Sequence, residues 1–398
     1  MIVPPNLRIV LGISGGIAAY KTPALVRLFQ KNGAEVKAVC TPAAREFVSD
    51  LTLRTITGNP VYIDGLAGDP DMEHIALAKW ADFCLVCPAT ANTIAKIAHG
   101  IADNLLTTLV LSFEKRLVIA PAMNTAMWRN PATRENVAAL VRRGVYVLPV
   151  GVGDLACGNE GPGRLIELET IVDYVLSLNT PKLLAHKKVL ISSGPTFEPI
   201  DPVRAITNRS SGKMGAALAQ AAWLAGAQVT VVSGPASAPL PPAVKVIRVT
   251  TALEMLRFME QEYADTDICI MAAAVADYRP QECLADKKHR DRDVSWNIEL
   301  VPNPDIAEHL GKKKKEQFLV GFSLETGDND TRPMEKMKNK NCDMMVVNRV
   351  DTSLEADSSV ARIIYPDKPA DSYALQSKRD LAARIMERIA AHTGNPHE

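Results

Sequence analysis

The feature that most constrains this chain is a recurring alternation of short, continuously apolar runs with longer helix-like runs. Residues 8–13, 35–40, 83–87, 117–120 and 145–150 read as buried strands, with helices over 17–32 and 93–101 between them. Gly33 closes the first helix. Near residue 180 the pattern restarts: Asn179-Thr180-Pro181 stops a helix over 166–178, and a new strand begins at 189. Further strands are expected over 189–193, 229–232, 244–249, 267–271, 318–322 and 344–348. Helices are expected over 212–225, 252–263, 334–340 and 377–391. Strands that are apolar on both faces need helices above and below them, which dictates a parallel sheet.

A chain of 398 residues is too long for one hydrophobic core, so the restart marks a domain boundary. The expected fold class is α/β, with two Rossmann-like doubly wound domains over residues 1–183 and 184–398. Lys plus Arg equals Asp plus Glu at 45 each, which argues against a chain-wide grip on nucleic acid or an anionic membrane. Seven cysteines in this length fit a reduced, cytoplasmic protein better than a disulfide scaffold. The N-terminal residues lack a basic leader followed by an apolar core. Residues 216–244 carry no charge, but Gly226, Gly234 and four prolines interrupt them, so a buried helix followed by a buried strand is expected rather than a membrane span.

Polar, glycine-rich turns follow the strands where a doubly wound sheet binds ligands. Gly12-Ile13-Ser14-Gly15-Gly16-Ile17 feeds a strand into a helix, and its small residues let backbone N–H groups approach an anion. It has neither the full dinucleotide glycine spacing nor a P-loop Gly-Lys-Ser, and the second strand ends in Cys40-Thr41-Pro42 with no acidic ribose partner. A mononucleotide therefore fits better than a dinucleotide. Pro88-Ala89-Thr90-Ala91-Asn92-Thr93 and Pro121-Ala122-Met123-Asn124 end two further strands; their Asn and Thr side chains can bond a ligand edge or cap the following helix. Cys84 and Cys87 lie on an apolar strand without a completing ligand pair and read as structural. Cys157 sits in a glycine-rich tract, residues 151–164, expected to be a mobile lid that brings a thiol into a site. His74, ahead of a turn expected to bury Ile75 and Trp80, is a candidate acid/base group. In the second half the tract 286–293 (DKKHRDRD) is a candidate basic loop for phosphate, whereas Lys312–Lys315 read as a solvated helix end.

Together, Ser14-Gly15-Gly16-Ile17-Ala18, His74, the two Pro-Ala turns with Thr125-Ala126-Met127-Trp128, and the loop around Cys157 resemble the FMN-dependent cysteine decarboxylases. Gly194-Pro195-Thr196, Asp201-Pro202-Val203-Arg204 and Ile206-Thr207-Asn208-Arg209-Ser210-Ser211-Gly212-Lys213-Met214-Gly215 resemble phosphopantothenate–cysteine ligase. The whole chain is similar to the bacterial bifunctional coenzyme A biosynthesis proteins that join these activities.

That resemblance implies the chemistry. In the decarboxylase half, oxidation of the cysteinyl moiety by FMN gives a thioaldehyde that accepts the electrons left by departing CO2. Ser14, Gly15, Gly16 and Ile17 would hold the FMN phosphate, with Thr41, Ala89, Thr90, Ala91 and Asn92 nearby. His74 would be the acid/base group, Asn124 with Met123 would hold the substrate carboxylate, and Cys157 would protonate the enethiolate. In the ligase half, the carboxylate of 4′-phosphopantothenate attacks CTP, with Mg2+ or Mn2+, to give an acyl-cytidylate that the cysteine amine then displaces. Ala272, Ala273, Asp277, Lys287, Pro304, Asp305, Ile306, Ala307, Phe322, Lys336 and Lys340 match nucleotide contacts. Asn208 would orient the acyl-cytidylate, and Ser211-Gly212 would open a helix suited to phosphate. The resemblance also implies a homo-oligomer, with trimer-based flavin domains whose sites lie between subunits and dimeric ligase domains. Phe197, Pro302 and Arg349 depart from the family pattern, the first two replacing basic residues and the third an acidic one. Two rival readings are a nucleotide-dependent oxidoreductase, which should carry a dinucleotide fingerprint, and a flavin-binding module without chemistry, in which His74, Asn124 and Cys157 would have no reason to occur together.

Overall fold

The computed structural model describes residues 7–63, 73–154, 160–241, 243–289, 295–327, 330–349 and 356–394. The chain divides into two compact units between Asn179 and Thr180.

The first unit is built on a parallel sheet. Its strands are β1 (Arg8–Ile13), β2 (Glu35–Cys40), β3 (Val61–Tyr62), β4 (Phe83–Ala89), β5 (Arg116–Pro121) and β6 (Tyr146–Val147), in the spatial order β3-β2-β1-β4-β5-β6. Ile9, Leu11, Ile13, Leu85 and Ile119 are fully buried, each contributing about 1.5–3 kcal/mol over an exposed position. The order reverses between β1 and β4, where crossovers leave toward opposite faces and a crevice opens at the carboxyl ends of the strands. The expected helix over 17–32 is two pieces: a 3-10 turn, Ile17–Lys21, and α1 (Thr22–Lys31). Pro23 explains the break, because proline is tolerated only in a helix's first turn. The next helices are α2 (Asp50–Thr57), α3 (Glu73–Trp80), α4 (Ala91–His99) and α5 (Leu105–Leu111). α4 starts earlier than expected because Thr90, rather than Asn92 or Thr93, is its cap and accepts the Thr93 N–H. α3 buries Leu77 rather than Ile75 and Trp80, which stay half-buried, and Lys37 lies over the Trp80 ring at 4.3 Å.

α6 (Thr125–Arg129), α7 (Pro131–Arg142) and α8 (Leu168–Asn179) complete the unit's helices. The glycine-rich tract differs from expectation. Its two arms are strands, β7 (Gly151–Asp154) and β8 (Glu160–Arg164), paired antiparallel; Cys157 lies outside the described residues. Glycine is demanded by packing here. Gly163 has φ +136°, and a Cβ on it would lie 2.5 Å from the Met123 carbonyl oxygen.

In the second unit one sheet comprises β9 (Lys188–Ser193), β12 (Gln228–Ser233), β13 (Lys245–Arg248), β14 (Ile268–Met271), β17 (Phe318–Glu325), β18 (Met344–Arg349), β19 (Ser358–Ile364) and β20 (Asp371–Ser377). The order is β13-β12-β9-β14-β17-β18-β19-β20, again reversing beside the unit's first strand, between β9 and β14. The sheet is mixed, since β19 and β20 run antiparallel as a hairpin added at the edge. The expected all-parallel reading missed them because β19 buries alternate residues, Ser359, Ala361 and Ile363, while Ser358, Val360 and Arg362 stay half-buried. Two small ribbons stand outside this sheet: β10 (Phe197–Pro199) with β11 (Ala205–Thr207), and β15 (Tyr278–Pro280) with β16 (Leu300–Pro302).

The covering helices are α9 (Lys213–Leu224), α10 (Ala252–Tyr263), α11 (Ile306–Lys313), α12 (Thr331–Asn339) and a closing helix, Lys378–Thr393. α10 carries a capping box from Thr251 and Glu254. The uncharged stretch 216–244 is α9 running into β12, and no helix among the described residues is long and apolar enough to cross a membrane. Lys312–Lys314 are ion-paired rather than merely solvated, with Glu308, Glu260 and Asp343 in turn.

α9 approaches β9 so closely that a Cβ on Gly215 would fall 2.1 Å from Ser193 Oγ and 2.6 Å from its Cβ. Gly215→Ala should therefore destabilise the second unit by about 1–3 kcal/mol. Calorimetry should show its unfolding transition lowered while that of the first unit stays in place.

Candidate functional site

A cavity of about 830 Å³ opens at the switch point of the first unit. That volume lies within the range of small-molecule and cofactor sites. Its walls come from the turns after β1, β2, β4 and β5, and from β8. Gly15, Gly16, Ile17, Thr41, Thr90, Asn92, Met123 and Asn124 all line it. Ser14 lies beneath: its Oγ donates to the Pro88 carbonyl at 2.7 Å and accepts the Thr90 N–H at 3.0 Å, locking two turns across the switch point. Ala89 and Ala91 flank Thr90; the Ala89 carbonyl accepts the Ala122 N–H at 3.0 Å and so ties the β4 and β5 turns together. Gly163 accepts the Met123 N–H at 2.9 Å, and Asn124 Oδ1 accepts that of Ala126 at 2.7 Å as cap of α6.

The residues fit a polar ligand with an aromatic body. Thr41 Oγ1 is buried without a hydrogen-bond partner at the cavity wall, a cost a ligand group could relieve. The neutral hydroxyls and amides suit a heteroaromatic edge, and the Ser14–Ile17 turn has the close backbone approach that a phosphate needs. Sequence reasoning missed Lys96, Asn104 and Arg164 in the wall. Lys96 pairs with Asp103 at 2.6 Å, and Arg164 with Glu167 at 3.2 Å. Asn104 caps α5, and Asp103-Asn104 ahead of an apolar run was the signal that could have found it. His74, half-buried on α3, is not among the lining residues. Cys84 and Cys87 are fully buried free thiols, and burial pushes Cys84 up to about 12, which suits a structural role.

In the second unit the predicted residues collect around the turn after β9. The Gly194 carbonyl accepts the Ala274 N–H at 2.9 Å, and Thr196 Oγ1 accepts that of Ala276 at 3.1 Å. Asn208 Nδ2 donates to the Val275 carbonyl at 2.9 Å, so Asn208 abuts the segment carrying Ala272, Ala273 and Asp277. Gly212, with φ +75°, precedes α9; a Cβ on it would lie 3.5 Å from the Gly194 Cα, and the Ser211 carbonyl accepts the Ala238 N–H. Asn303 joins this cluster to Pro304 through bonds of 2.8 Å to the Asp277 and Ala276 carbonyls. Asp305 caps α11, whose first residues Ile306 and Ala307 are buried.

Two predicted lysines already have carboxylate partners. Lys340 meets Asp305 at 2.8 Å. Lys336 donates to Glu325 at 2.8 Å and Ser323 at 2.9 Å, in the last residues of β17 that follow Phe322. Hydrogen bonds from Lys336 and then Ser323 hold Glu325 below its usual range. Burial pushes Asp305 up, but bonds from Lys340 and the Glu308 N–H outweigh it. Lys287 is exposed on the arm between β15 and β16, and residues 290–293 of the basic tract lie outside the described residues. Among the described residues no group of His, Cys, Asp and Glu side chains forms a metal site.

The fold and its two carboxyl-edge sites define a two-unit α/β protein of the flavin- and nucleotide-handling class. Residues 4–180 match the family described as Flavoprotein, and residues 184–393 match the DNA/pantothenate metabolism flavoprotein C-terminal domain. The chain is 44% identical over 396 residues to the coenzyme A biosynthesis bifunctional protein CoaBC of Vibrio vulnificus, covering 98% of each. It is 41% identical over 395 residues to the protein of that name from Bacillus subtilis, covering 97% of each. A solved C-terminal domain of CoaBC is 36% identical, with a TM-score of 0.47, covering 53% of this chain and 97% of that one. The chain belongs to the bifunctional coenzyme A biosynthesis protein family.

Two outcomes follow. Ser14→Ala leaves the Thr90 N–H without its partner and the Pro88 carbonyl with only the Ser14 N–H at 3.3 Å, and an unsatisfied buried group costs about 1–3 kcal/mol. The variant should purify with a lower flavin-to-protein absorbance ratio than wild type. Glu325, held below its unfolded value, stabilises the fold fully above the ordinary glutamate value of about 4.3 and loses that contribution as pH falls through its depressed folded value. Glu325→Gln should flatten the acid limb of melting temperature against pH; an unchanged limb would show that this pair does not shape it.

Proposed function

We propose that residues 184–398 join cysteine to 4′-phosphopantothenate with CTP and Mg2+ or Mn2+. Residues 1–183 then decarboxylate the resulting phosphopantothenoylcysteine to 4′-phosphopantetheine with FMN. The observation that carries the reading is the pair of carboxyl-edge sites in one chain, one lined by neutral polar turns and one flanked by paired lysines.

In the decarboxylase, Ser14–Ile17 hold the cofactor phosphate, and Thr41, Ala89, Thr90, Ala91 and Asn92 surround the rest of it. When bound, FMN supplies two-electron redox chemistry at the cysteinyl carbon–sulfur bond. Asn124 has its Oδ1 committed to Ala126, so the amide NH2 is the edge that meets the substrate carboxylate, with Met123 packing beside it. Cys157 protonates the enethiolate. His74 handles the remaining proton from a second copy of the chain, which explains its absence from the cavity wall of its own. Ile17 and Tyr20, 58% and 59% exposed at that cavity's rim, are the surface such a copy would cover. A homo-oligomer with trimer-based flavin domains and dimeric ligase domains follows from this reading, as does a cytoplasmic location.

In the ligase, Asp277, Ala272, Ala273, Pro304–Ala307 and Phe322 enclose the nucleotide, while Ser211-Gly212 offers the N-terminus of α9 to phosphate. The 4′-phosphopantothenate carboxylate displaces pyrophosphate from CTP; Asn208 orients the acyl-cytidylate, and the cysteine amine expels CMP. Lys336 and Lys340 arrive pre-oriented by Glu325 and Asp305, and Lys287 adds the third cation for the leaving pyrophosphate.

Mass spectrometry of purified protein with 4′-phosphopantothenate, cysteine, CTP and Mg2+ should show 4′-phosphopantetheine, CMP and CO2. Cys157→Ser should lose reduced product, and Lys287→Gln should stop pyrophosphate release while leaving added phosphopantothenoylcysteine to be decarboxylated. Normal reduction in the first variant, or normal pyrophosphate release in the second, removes the role assigned to that residue.

A further inference from the structure

We propose that Asp201 is a positioning residue for the ligase, clamping the arm that carries Lys287; the inference rests on the role assigned to Lys287 above. The arm, residues 281–299, leaves the unit where β15 ends and returns where β16 begins. It is exposed along residues 281–289 and would wander unless tied.

The tie is the turn between β10 and β11. The Ile200 carbonyl accepts the Leu284 N–H at 2.9 Å. Arg204 Nη2 donates to the Lys288 carbonyl at 3.2 Å, and the Arg204 guanidinium lies 5.4 Å from the centre of the Trp296 ring. The Asp201 side chain is wholly buried and holds these together. Its Oδ1 accepts the N–H groups of Val203 and Arg204, both at 2.8 Å, which closes the turn. Its Oδ2 accepts from Arg204 Nη1 at 3.1 Å and from the Lys288 N–H at 3.2 Å.

A turn of this kind needs only one side-chain oxygen, and asparagine supplies it equally well. Burying a full carboxylate is costly, and here the second oxygen accepts from the Arg204 guanidinium and, outside the turn, from the N–H of the residue next to Lys287. Leu284 and Lys288 therefore bracket Lys287 with three bonds to one rigid turn. The lysine's backbone is fixed, and its side chain starts from a defined root.

Asp201→Asn separates the two tasks. The amide oxygen can keep the Val203 and Arg204 N–H bonds, while the NH2 then faces two donors, Arg204 Nη1 and the Lys288 N–H. Single-turnover pyrophosphate release from CTP by the full-length protein should slow by about 10–100-fold. Decarboxylation of added phosphopantothenoylcysteine should stay at the wild-type rate. In a Lys287→Gln background the same change should add almost nothing, because a clamp without its lysine has nothing left to place. Arg204→Met, which removes the guanidinium bond to the Lys288 carbonyl and keeps the backbone N–H bonds of the Asp201 turn, should reproduce both results if Asp201→Asn loses its fold. Wild-type pyrophosphate release in both variants overturns the proposal, as does a loss that multiplies with that of Lys287→Gln, which would mark Asp201 as a folding residue only. Normal release in Lys287→Gln alone overturns the role of Lys287 itself, and the positioning role with it.

Discussion

The reversal of strand order beside the first strand of each unit is the constraint on which the rest depends. β1 pairs with both β2 and β4, and β9 with both β12 and β14, so the crossovers on either side leave in opposite directions. Backbone pairing cannot fill the gap this leaves at the carboxyl ends of the strands. The turns that border it must satisfy their own N–H and carbonyl groups with side chains, and those side chains are the ones that can also meet a ligand. Ser14 does this in the first unit by bonding Pro88 and Thr90, and Thr196 and Asn208 do it in the second by bonding the Ala274–Ala276 segment. Structural satisfaction and site construction are the same event in both places.

Much of this was legible in the sequence because buried parallel strands are continuously apolar and their ends are punctuated by glycine, proline, asparagine and threonine. The six parallel strands of the second unit's sheet lie where the apolar runs predicted them. What escaped follows a different logic. β19 and β20 hide in short mixed runs of serine, apolar and single charged residues, which a half-buried edge hairpin permits and a central strand does not. The glycine tract around Cys157 reads as mobile when glycine is taken as freedom alone. In the structure Gly161 and Gly163 are held at positive φ because Thr125 and Met123 leave no room for a Cβ. Lys96 on α4, Asn104 at the cap of α5 and Arg164 at the end of β8 are assembled into one wall only by the tertiary fold, so their local signals are a salt bridge, a cap and a second salt bridge.

The two units solve their charge problems differently. In the first, the predicted ligand-facing groups are neutral hydroxyls, amides and backbone; of the basic groups at the cavity, Lys96 and Arg164 are balanced by Asp103 and Glu167, and Lys21 also lines the wall. Neutral donors suit a ligand whose charge is confined to one phosphate at a helix-opening turn. In the second, Lys336 and Lys340 are held by Glu325 and Asp305. A pre-paired lysine has already lost part of its rotamer freedom, so less ordering remains when a phosphate arrives.

Two of the three positions expected to depart from the family pattern, Phe197 and Pro302, fall on the two small ribbons, while Arg349 ends β18; the ribbon positions acquire a physical reading. Phe197 begins β10, where its N–H donates to the Thr250 carbonyl at 2.8 Å; the backbone role survives and only a charge is missing. Pro302 ends β16, opposite Tyr278, where the ribbon needs its carbonyl rather than its N–H, and Arg279 Nη1 donates to that carbonyl at 2.7 Å. Proline is tolerated at such an edge because no ladder bond is forfeited. Both ribbons therefore keep their form with Phe197 and Pro302 in place of a basic side chain expected at each position. The remaining positive charge is concentrated in Lys336, Lys340 and the arm bearing Lys287, and of these only the arm lacks a carboxylate partner at its lysine among the described residues. Its lysine is fixed through its backbone instead, which is why the buried Asp201, bonded to the Lys288 N–H, matters to it.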